Sequence, residues 1–305
     1  MAFSIVCLLI VFYWSLVPGP WSLASWEAGG RPVIGRRPAV MGIVNVTPDS
    51  FSDGGRSLGL AEAVARAEHL VAEGTDILDV GGESSRPGAE PVALEDELRR
   101  VIPVIEALAG RVPVPISVDT TKAEVFRRAL RAGATILNDI TALGGDPEMP
   151  RAVADSDAGV LLMHMAGTPR TMQLNPRYDD VVAEVRDWLA WRVEWVESLG
   201  VPRARIAIDP GIGFGKTLEH NLELLRNLGR FATVGCAVVV GTSRKGFLGA
   251  LTGRPIPGRT TASVVSALAA IDRGADVVRV LDVGPMVDAL KVWGAQHGWD
   301  WDETR

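Results

Sequence analysis

Eight short apolar runs, each ending on a polar residue and each followed by a longer segment with helical spacing, constrain this chain more than any other feature of its 305 residues. The runs are Ala39–Asn45, Asp76–Gly81, Pro115–Asp119, Thr135–Asp139, Gly159–His164, Arg205–Asp209, Ala237–Gly241 and Asp276–Val280. Continuous apolar runs of this length suit strands buried on both faces of a parallel sheet. The segments between them carry single apolar stripes. Leu60, Val64, Ala67 and Val71 form one; Val182, Val185, Leu189, Val193 and Val196 form a second. Leu218, Leu222 and Leu225 repeat the pattern, as do Val264, Leu268 and Ile271. One stripe means one buried helical face, laid against the sheet. Gly74, Gly133, Gly200 and Gly274 follow such segments, where a left-handed residue ends a helix.

Eight βα units with no second class of element predict an α/β fold, a single-domain (β/α)8 TIM barrel over residues 36–300. An open doubly wound sheet is the structural alternative. Residues 1–35 are set apart as an apolar extension of unassigned role. Phe3 to Val17 is almost uninterrupted apolar sequence, broken by Pro18, Gly19 and Pro20. It resembles the apolar core of a signal peptide or a short anchor. No Lys or Arg precedes Arg31, however, and the run falls short of the roughly 20 residues a membrane span requires. The plainer reading is an appended segment, loosely packed or disordered, with no membrane partner. The net charge of −6 argues against a nucleic-acid partner. Cys7 and Cys236 have neither metal-ligand spacing nor a disulfide framework, which fits a reducing, cytoplasmic setting.

Active sites of such barrels lie at the C-terminal ends of the strands. In order, those ends present Asn45, Glu83, Asp119, Asn138 with Asp139, His164, Asp209, Arg244 with Lys245, and Arg279 with Asp282. One Asp after a strand is usually a helix cap or turn residue. Eight polar ends converging on one rim point instead to a polar small-molecule site. Arg279 ends the last strand, where barrels often hold phosphate. The loops Gly54-Gly55, Gly81-Gly82 and Gly211-Ile212-Gly213-Phe214-Gly215 match neither a P-loop nor a dinucleotide fingerprint in the right context. They read as turns that let backbone approach a ligand. The four histidines, His69, His164, His220 and His297, form no pair with ligand spacing. A Mg²⁺ held mainly by a ligand's phosphates would leave little trace in a sequence.

At these loops a resemblance emerges. The run from Met41 through Asn45, Asp49, Phe51 and Asp53 to Gly55 resembles the first signature of the dihydropteroate synthases, and Asp79-Val-Gly-Gly-Glu83-Ser-Ser85-Arg86-Pro87-Gly88 resembles the second. Ser117-Val-Asp119-Thr120, Asn138-Asp139-Ile140, Asp209-Pro-Gly211-Ile-Gly-Phe214-Gly-Lys216 and Thr242-Ser-Arg-Lys245 match in order and spacing. The resemblance covers about residues 36–297.

It implies joining of a pterin to p-aminobenzoate with loss of pyrophosphate. By this resemblance Asp119, Asn138, Asp209 and Lys245 hold the pterin, with Phe214 also among the substrate-binding residues. Arg279 binds the leaving pyrophosphate, and Asn45 assists there or ligates Mg²⁺. Phe51, Asp53, Ser85, Arg86 and Pro87 fall in two mobile loops that form the p-aminobenzoate pocket. The residues implied as catalytic are Asp53, Arg86, Lys245 and Arg279. The chemistry agrees, because a carboxylate such as Asp209 accepts from adjacent N–H donors while Asn138 both donates and accepts. The reaction needs no strong base. The CH₂–pyrophosphate bond breaks with carbocation character and the neutral aryl amine attacks, so leaving-group stabilisation and positioning dominate. A homodimer joined near the last helices is also implied.

Two positions depart from the pattern. Leu281 stands where the family usually has a histidine that contacts pyrophosphate, and Arg259 or Thr261 are the candidates to compensate. Gly246 stands where many members carry a larger residue, often serine. These departures raise the expectation of a sulfonamide-insensitive enzyme. Trp188, Trp191 and Trp195, three and four apart, form a helical stripe that reads as barrel packing or indoles exposed beside a partner surface. Two other functions compete. A pterin- or folate-binding module of a corrinoid methyltransferase system would share the Asp and Asn contacts, but would not need Ser84 to Pro87 or Thr242 to Lys245. An aldolase-type barrel would want a Schiff-base lysine, for which Lys245 is the candidate.

Overall fold

The computed structural model describes residues 24–46 and 56–298. Eight parallel strands close into a barrel. They are β1 (Ala39–Asn45), β2 (Ile77–Gly81), β3 (Ile116–Asp119), β4 (Ile136–Asp139), β5 (Gly159–Met163), β6 (Ile206–Asp209), β7 (Ala237–Val240) and β8 (Val277–Val280). Closure is through β8, where Val277 lies beside Ala39 of β1 and Val239 of β7. The described helices are α1 (Arg56–Ala72), α2 (Leu94–Leu108), α3 (Ala123–Ala132), α4 (Met149–Ala154), α5 (Val181–Ser198), α6 (Leu218–Arg226), α7 (Gly246–Thr252), α8 (Thr260–Ile271) and α9 (Val283–Gln296). The predicted strands are therefore present, their starts shortened by at most one residue and their ends by at most one. The open-sheet alternative is excluded by closure.

Alternation along each strand divides the apolar residues into two cores, as the period of two requires. Val40, Val44, Leu78, Val80, Val118, Leu137, Val160, Leu162, Ile208 and Val238 face the helices. Ala39, Met41, Ile77, Ile136, Leu161, Ala207, Ala237, Val239 and Val277 fill the barrel's lower interior. The helical stripes meet the first set. On α5, Val182, Val185, Leu189, Val193 and Val196 are all buried. Gly42 allows close approach of helix to strand, since a Cβ there would lie 2.9 Å from Thr75 Oγ1 and 3.0 Å from Val283 Cγ2.

Residues 24–34 of the extension set apart above supply the floor. A two-stranded antiparallel ribbon, Glu27–Ala28 with Arg31–Pro32, carries Trp26, Ala28, Val33 and Ile34 into the lower-interior core. Trp26 is 1% exposed, and its Nε1 donates to Arg205 O at 3.1 Å. Ala24 N donates to Asp276 Oδ1 at 3.3 Å. Residues 24–34 thus pack tightly rather than loosely, because an indole and two branched aliphatics cap apolar strand starts that would otherwise meet water. The apolar run Phe3 to Val17 lies outside the described residues. Among the described residues no helix is long and apolar enough to cross a membrane.

Candidate functional site

The inward residues change character near the strands' C-terminal ends. Asp79, Ser117, Asp119, Asn138, Asp209 and Arg279 replace the aliphatics below them. Asp79 is the hub. It is fully buried, and its Oδ1 accepts from Ser117 Oγ at 2.7 Å. Its Oδ2 accepts from Asn138 Nδ2 at 3.1 Å and from Arg279 Nε at 2.6 Å. Arg279 Nη2 also donates to Asp119 Oδ2 at 2.7 Å. One guanidinium therefore ties β8 to β2 and β3. Burial works against its charge, but Asp79 and Asp119 outweigh it and hold Arg279 protonated above its ordinary range. For Asp119 burial dominates. Arg279 pulls the other way, the carboxylates of Asp79, Glu97 and Asp139 push further, and the carboxyl rises to about 7.

A second cluster forms around β6 and β7. Asp209 accepts from Gly211 N at 2.6 Å. Burial raises its carboxyl, while Lys245, the Gly211 amide, Lys216 and Arg279 oppose the rise. Lys245 rests its Nζ on Ile212 O and 4.7 Å from the centroid of the Phe214 ring. Burial lowers this amine to about 8, against the pull of Asp209 and aided by Arg279. Gly211 admits no substitute. Its φ is 70°, and a Cβ would fall 1.9 Å from His164 O.

The structure thus brings together Asp119, Asn138, Asp209, Phe214, Lys245 and Arg279. Asn45 ends β1 on the same rim with its side chain exposed. Ser85, Arg86 and Pro87 lie in the loop after β2, with Ser85 half-buried and the other two exposed. That loop is anchored at its far end, where Gly88 N donates to Pro169 O at 3.0 Å and Glu90 pairs with Arg170 at 3.4 Å. Phe51 and Asp53 lie outside the described residues.

Three residues here were not among the sequence candidates. Asp79 sits in mid-strand, so reading only strand ends passes over it, yet a lone carboxylate within Ile77-Leu-Asp-Val was a visible signal. Lys122 donates to Glu83 and, at 2.5 Å, to the fully buried Glu97, fixing the root of the loop after β2. Lys216 is 3% exposed, and its Nζ lies 3.0 Å from His164 Nδ1 and 2.9 Å from Phe214 O. Burial lowers that amine to about 7, against Asp209 and aided by Lys245. Burial and Lys216 lower His164 to about 3, so its ring is neutral. Trp188 meets that ring edge-on at 5.0 Å. Trp191 is exposed, and Arg192 stacks 4.1 Å over Trp195.

Arg259 and Thr261, the residues expected to compensate for Leu281, flank Thr260, whose Oγ1 donates to Asp282 Oδ2 at 3.3 Å. Arg259 donates to Arg244 O, Lys245 O and Arg254 O. Thr261 lines a separate groove beside α6. Leu281 O accepts from Arg66 Nη2 at 2.8 Å, and Leu281 N donates to Ser243 Oγ at 3.1 Å. Among the described residues no three His, Cys, Asp or Glu side chains are placed to hold a metal ion.

Comparison with known proteins adds a consistent set of likenesses. The family model described as pterin binding enzyme matches residues 41–281. The chain is 46% identical over 274 residues to the dihydropteroate synthase of Neisseria meningitidis serogroup C, covering 88% of this chain and 96% of that protein. It is 47% identical over 255 residues to the Escherichia coli K12 dihydropteroate synthase, covering 84% and 90%. Among solved structures, the Xanthomonas albilineans dihydropteroate synthase with 4-aminobenzoic acid superposes with a TM-score of 0.84 at 48% identity, over 92% of this chain and 100% of that one. The Burkholderia cenocepacia dihydropteroate synthase complexed with 7,8-dihydropteroate gives 0.81 at 44% identity, over 90% and 97%.

Proposed function

Because the chain belongs to the dihydropteroate synthase family of pterin-binding enzymes, we propose roles for its rim residues in that family's reaction. The activity is a transferase step of folate biosynthesis. 6-Hydroxymethyl-7,8-dihydropterin pyrophosphate and p-aminobenzoate give 7,8-dihydropteroate and pyrophosphate. Neither the methyltransferase-module nor the aldolase reading gains support from these likenesses.

The observation that carries the assignment of roles is the juxtaposition of acceptors and donors on one buried rim. Asp209 and Asn138 offer a carboxylate and an amide to the pterin's N–H donors and ring acceptors. Asp119 adds a second carboxyl. Lys245 faces the ring's oxygen and nitrogen acceptors, and the half-buried Phe214 offers an apolar face. Arg279 is held by Asp79 and Asp119 with its charge intact, so it meets the departing pyrophosphate anion without first reorganising. The bond from CH₂ to pyrophosphate oxygen breaks, the electron pair leaves with pyrophosphate, the amine nitrogen of p-aminobenzoate bonds to the CH₂, and that nitrogen then gives up one proton to the departing pyrophosphate or to water. Arg86, Ser85 and Pro87, on the anchored loop, would close over the aryl amine, with Phe51 and Asp53 completing that pocket.

Asn45 fits a Mg²⁺ carried by the pyrophosphate. It is one neutral oxygen donor at an exposed strand end, which suits a hard cation that takes most ligands from phosphate and water. Bound there, the cation would neutralise charge on the leaving group.

A homodimer joined at α6, α7 and α8 is supported by an apolar groove of about 750 Å³ between these helices. Leu222, Leu225, Leu251 and Val265 line it, and Leu251 and Val265 are 54% and 61% exposed. Exposed apolar area of this kind marks a partner surface, and three adjacent helices offer a second copy the same face. A cytoplasmic setting fits the free, buried thiol of Cys236. Sulfonamide insensitivity is supported by Gly246 beginning α7 beside Lys245, with open space where a side chain would project.

The test is pyrophosphate release from the pterin pyrophosphate with and without p-aminobenzoate, repeated with a sulfonamide. Release that depends on p-aminobenzoate is expected. Binding of pterin without release would overturn the assignment in favour of a binding module.

A further inference from the structure

Behind Asp209 and Lys245 lies a turn whose every residue is fastened from outside it. Gly211 N donates to Asp209 Oδ1 at 2.6 Å, and Ile212 O accepts from Lys245. Gly213 N donates to Asn221 Oδ1 at 2.6 Å, and Gly213 O accepts from Gln173 Nε2 at 2.8 Å. Phe214 O accepts from Lys216 Nζ at 2.9 Å, and Gly215 O accepts from Tyr178 Oη at 3.0 Å. Gly211, Gly213 and Gly215 have φ of 70°, 84° and 66°, so the turn has little intrinsic preference for this shape. Its shape is set by these bonds.

Lys216 is central to them. It closes the turn on itself through Phe214 O and ties it to β5 through His164 Nδ1 at 3.0 Å and His164 O at 3.4 Å. An ammonium has three N–H donors, and three acceptors surround it here. His164 is a neutral acceptor toward it, and the ring is braced by Trp188. A buried lysine with no carboxylate in direct contact is costly unless its bonds do something the fold requires. Barrel closure does not require them, because β5 and β6 are already paired over four residues.

We propose that Lys216 is a positioning residue for pterin recognition, holding the Gly211–Gly215 turn so that the Ile212 carbonyl fixes the Lys245 amine and the Phe214 ring faces the ligand. This rests on the reading of Asp209 and Lys245 as pterin contacts. Lys216 acts through the turn and touches no substrate. Its effect therefore falls on pterin affinity and leaves p-aminobenzoate, bound by other loops, almost unaffected.

Lys216→Met keeps an unbranched side chain, one atom shorter, and removes its donors. Steady-state kinetics on the full chain, with the melting temperature as a check on folding, should show KM for the pterin pyrophosphate rising about tenfold, equivalent to one lost hydrogen bond of ordinary net strength. KM for p-aminobenzoate should stay within about twofold. Equal rises in both, or a fall in kcat alone, would overturn the proposal. If Lys216→Met does not fold, Gln173→Ala loosens the same turn from the exposed side. Unchanged pterin affinity in that variant overturns the proposal as well. Calorimetric binding of unreactive 6-hydroxymethylpterin to the unmodified protein separates the premise from the inference. No binding there sinks the assignment of the site, whereas binding that Lys216→Met leaves intact sinks only the role of Lys216.

Discussion

Arg279 at the end of β8 is oriented by Asp79 in the middle of β2, Nε to Oδ2 at 2.6 Å, across the intervening strand β1. The carboxylate sits one layer below the rim and is closed to water. Replacing Asp79 with Asn keeps the size but removes the fully buried one of the guanidinium's two carboxylate partners, leaving Asp119 alone. Breaking such a pair from one side costs roughly 3–5 kcal/mol. Asp79→Asn should lower the melting temperature and reduce kcat/KM by about a hundredfold, as for loss of one preorganised charge contact. Denaturation and kinetics on one preparation decide it; a variant with unchanged turnover would exclude Asp79 from orienting Arg279.

Leu281 lies two residues beyond Arg279, just past the end of β8, and its side chain offers no donor. Leu281→His restores one. A charge-assisted bond to pyrophosphate is worth about 1.5–3 kcal/mol, so affinity should rise by roughly ten- to a hundredfold. Inhibition by inorganic pyrophosphate reads this directly. An unaltered inhibition constant would mean that Arg66, bound to the Leu281 carbonyl, or another group already serves the leaving group.

The neutral state of His164 makes stability acid-sensitive. Burial and Lys216 lower the ring from 6.5 to about 3. Between those values the unfolded chain binds the proton and the folded chain does not. The contribution is therefore complete above about pH 6.5 and is lost as pH falls toward 3. Urea denaturation from pH 4 to 7 should show stability rising with pH, and His164→Asn should flatten that slope. An unchanged slope would assign the acid sensitivity to other groups.

The groove of Leu251 and Val265 predicts the oligomeric state. Val265→Glu puts a charge on the exposed apolar surface that a second copy of the proposed dimer would bury. Sedimentation should find a dimer for the unmodified chain and a monomer for the variant. A dimer in both would move the interface elsewhere.

Gly246→Ser fills space that is open in the structure, so it should fold normally. If the missing side chain underlies drug discrimination, the ratio of sulfonamide Ki to p-aminobenzoate KM should fall several-fold. A constant ratio would remove Gly246 from the explanation.

The barrel was legible because each strand is a short apolar block separated from the next by a longer segment with one apolar stripe, and continuous burial needs no long-range information to be seen. The strand ends exposed Asp119, Asn138, Asp209, Lys245 and Arg279 for the same reason. Asp79 was less visible because its role depends on which face of β2 points inward, a property of closure. Lys216 was less visible still. A lysine after a glycine turn reads as solvated, and only the packing of β5 against β6 buries it. Trp26 belongs to no periodic pattern, so its place in the floor followed from the tertiary structure alone. Arg259 and Thr261 flank Thr260, whose bond to Asp282 brings the start of α8 beside Leu281, a closeness that only the tertiary structure reveals.

Trp26 and the ribbon behind it close the barrel at the end opposite Arg279 and Lys245. Ala24, at the start of that ribbon's approach, therefore lies at the sealed pole, with the barrel between it and the rim that carries Arg279 and Lys245. A tag, surface linker or carrier protein attached on that side would leave the mouth unobstructed, so the enzyme could be immobilised in one orientation with every copy's substrate opening facing the solvent.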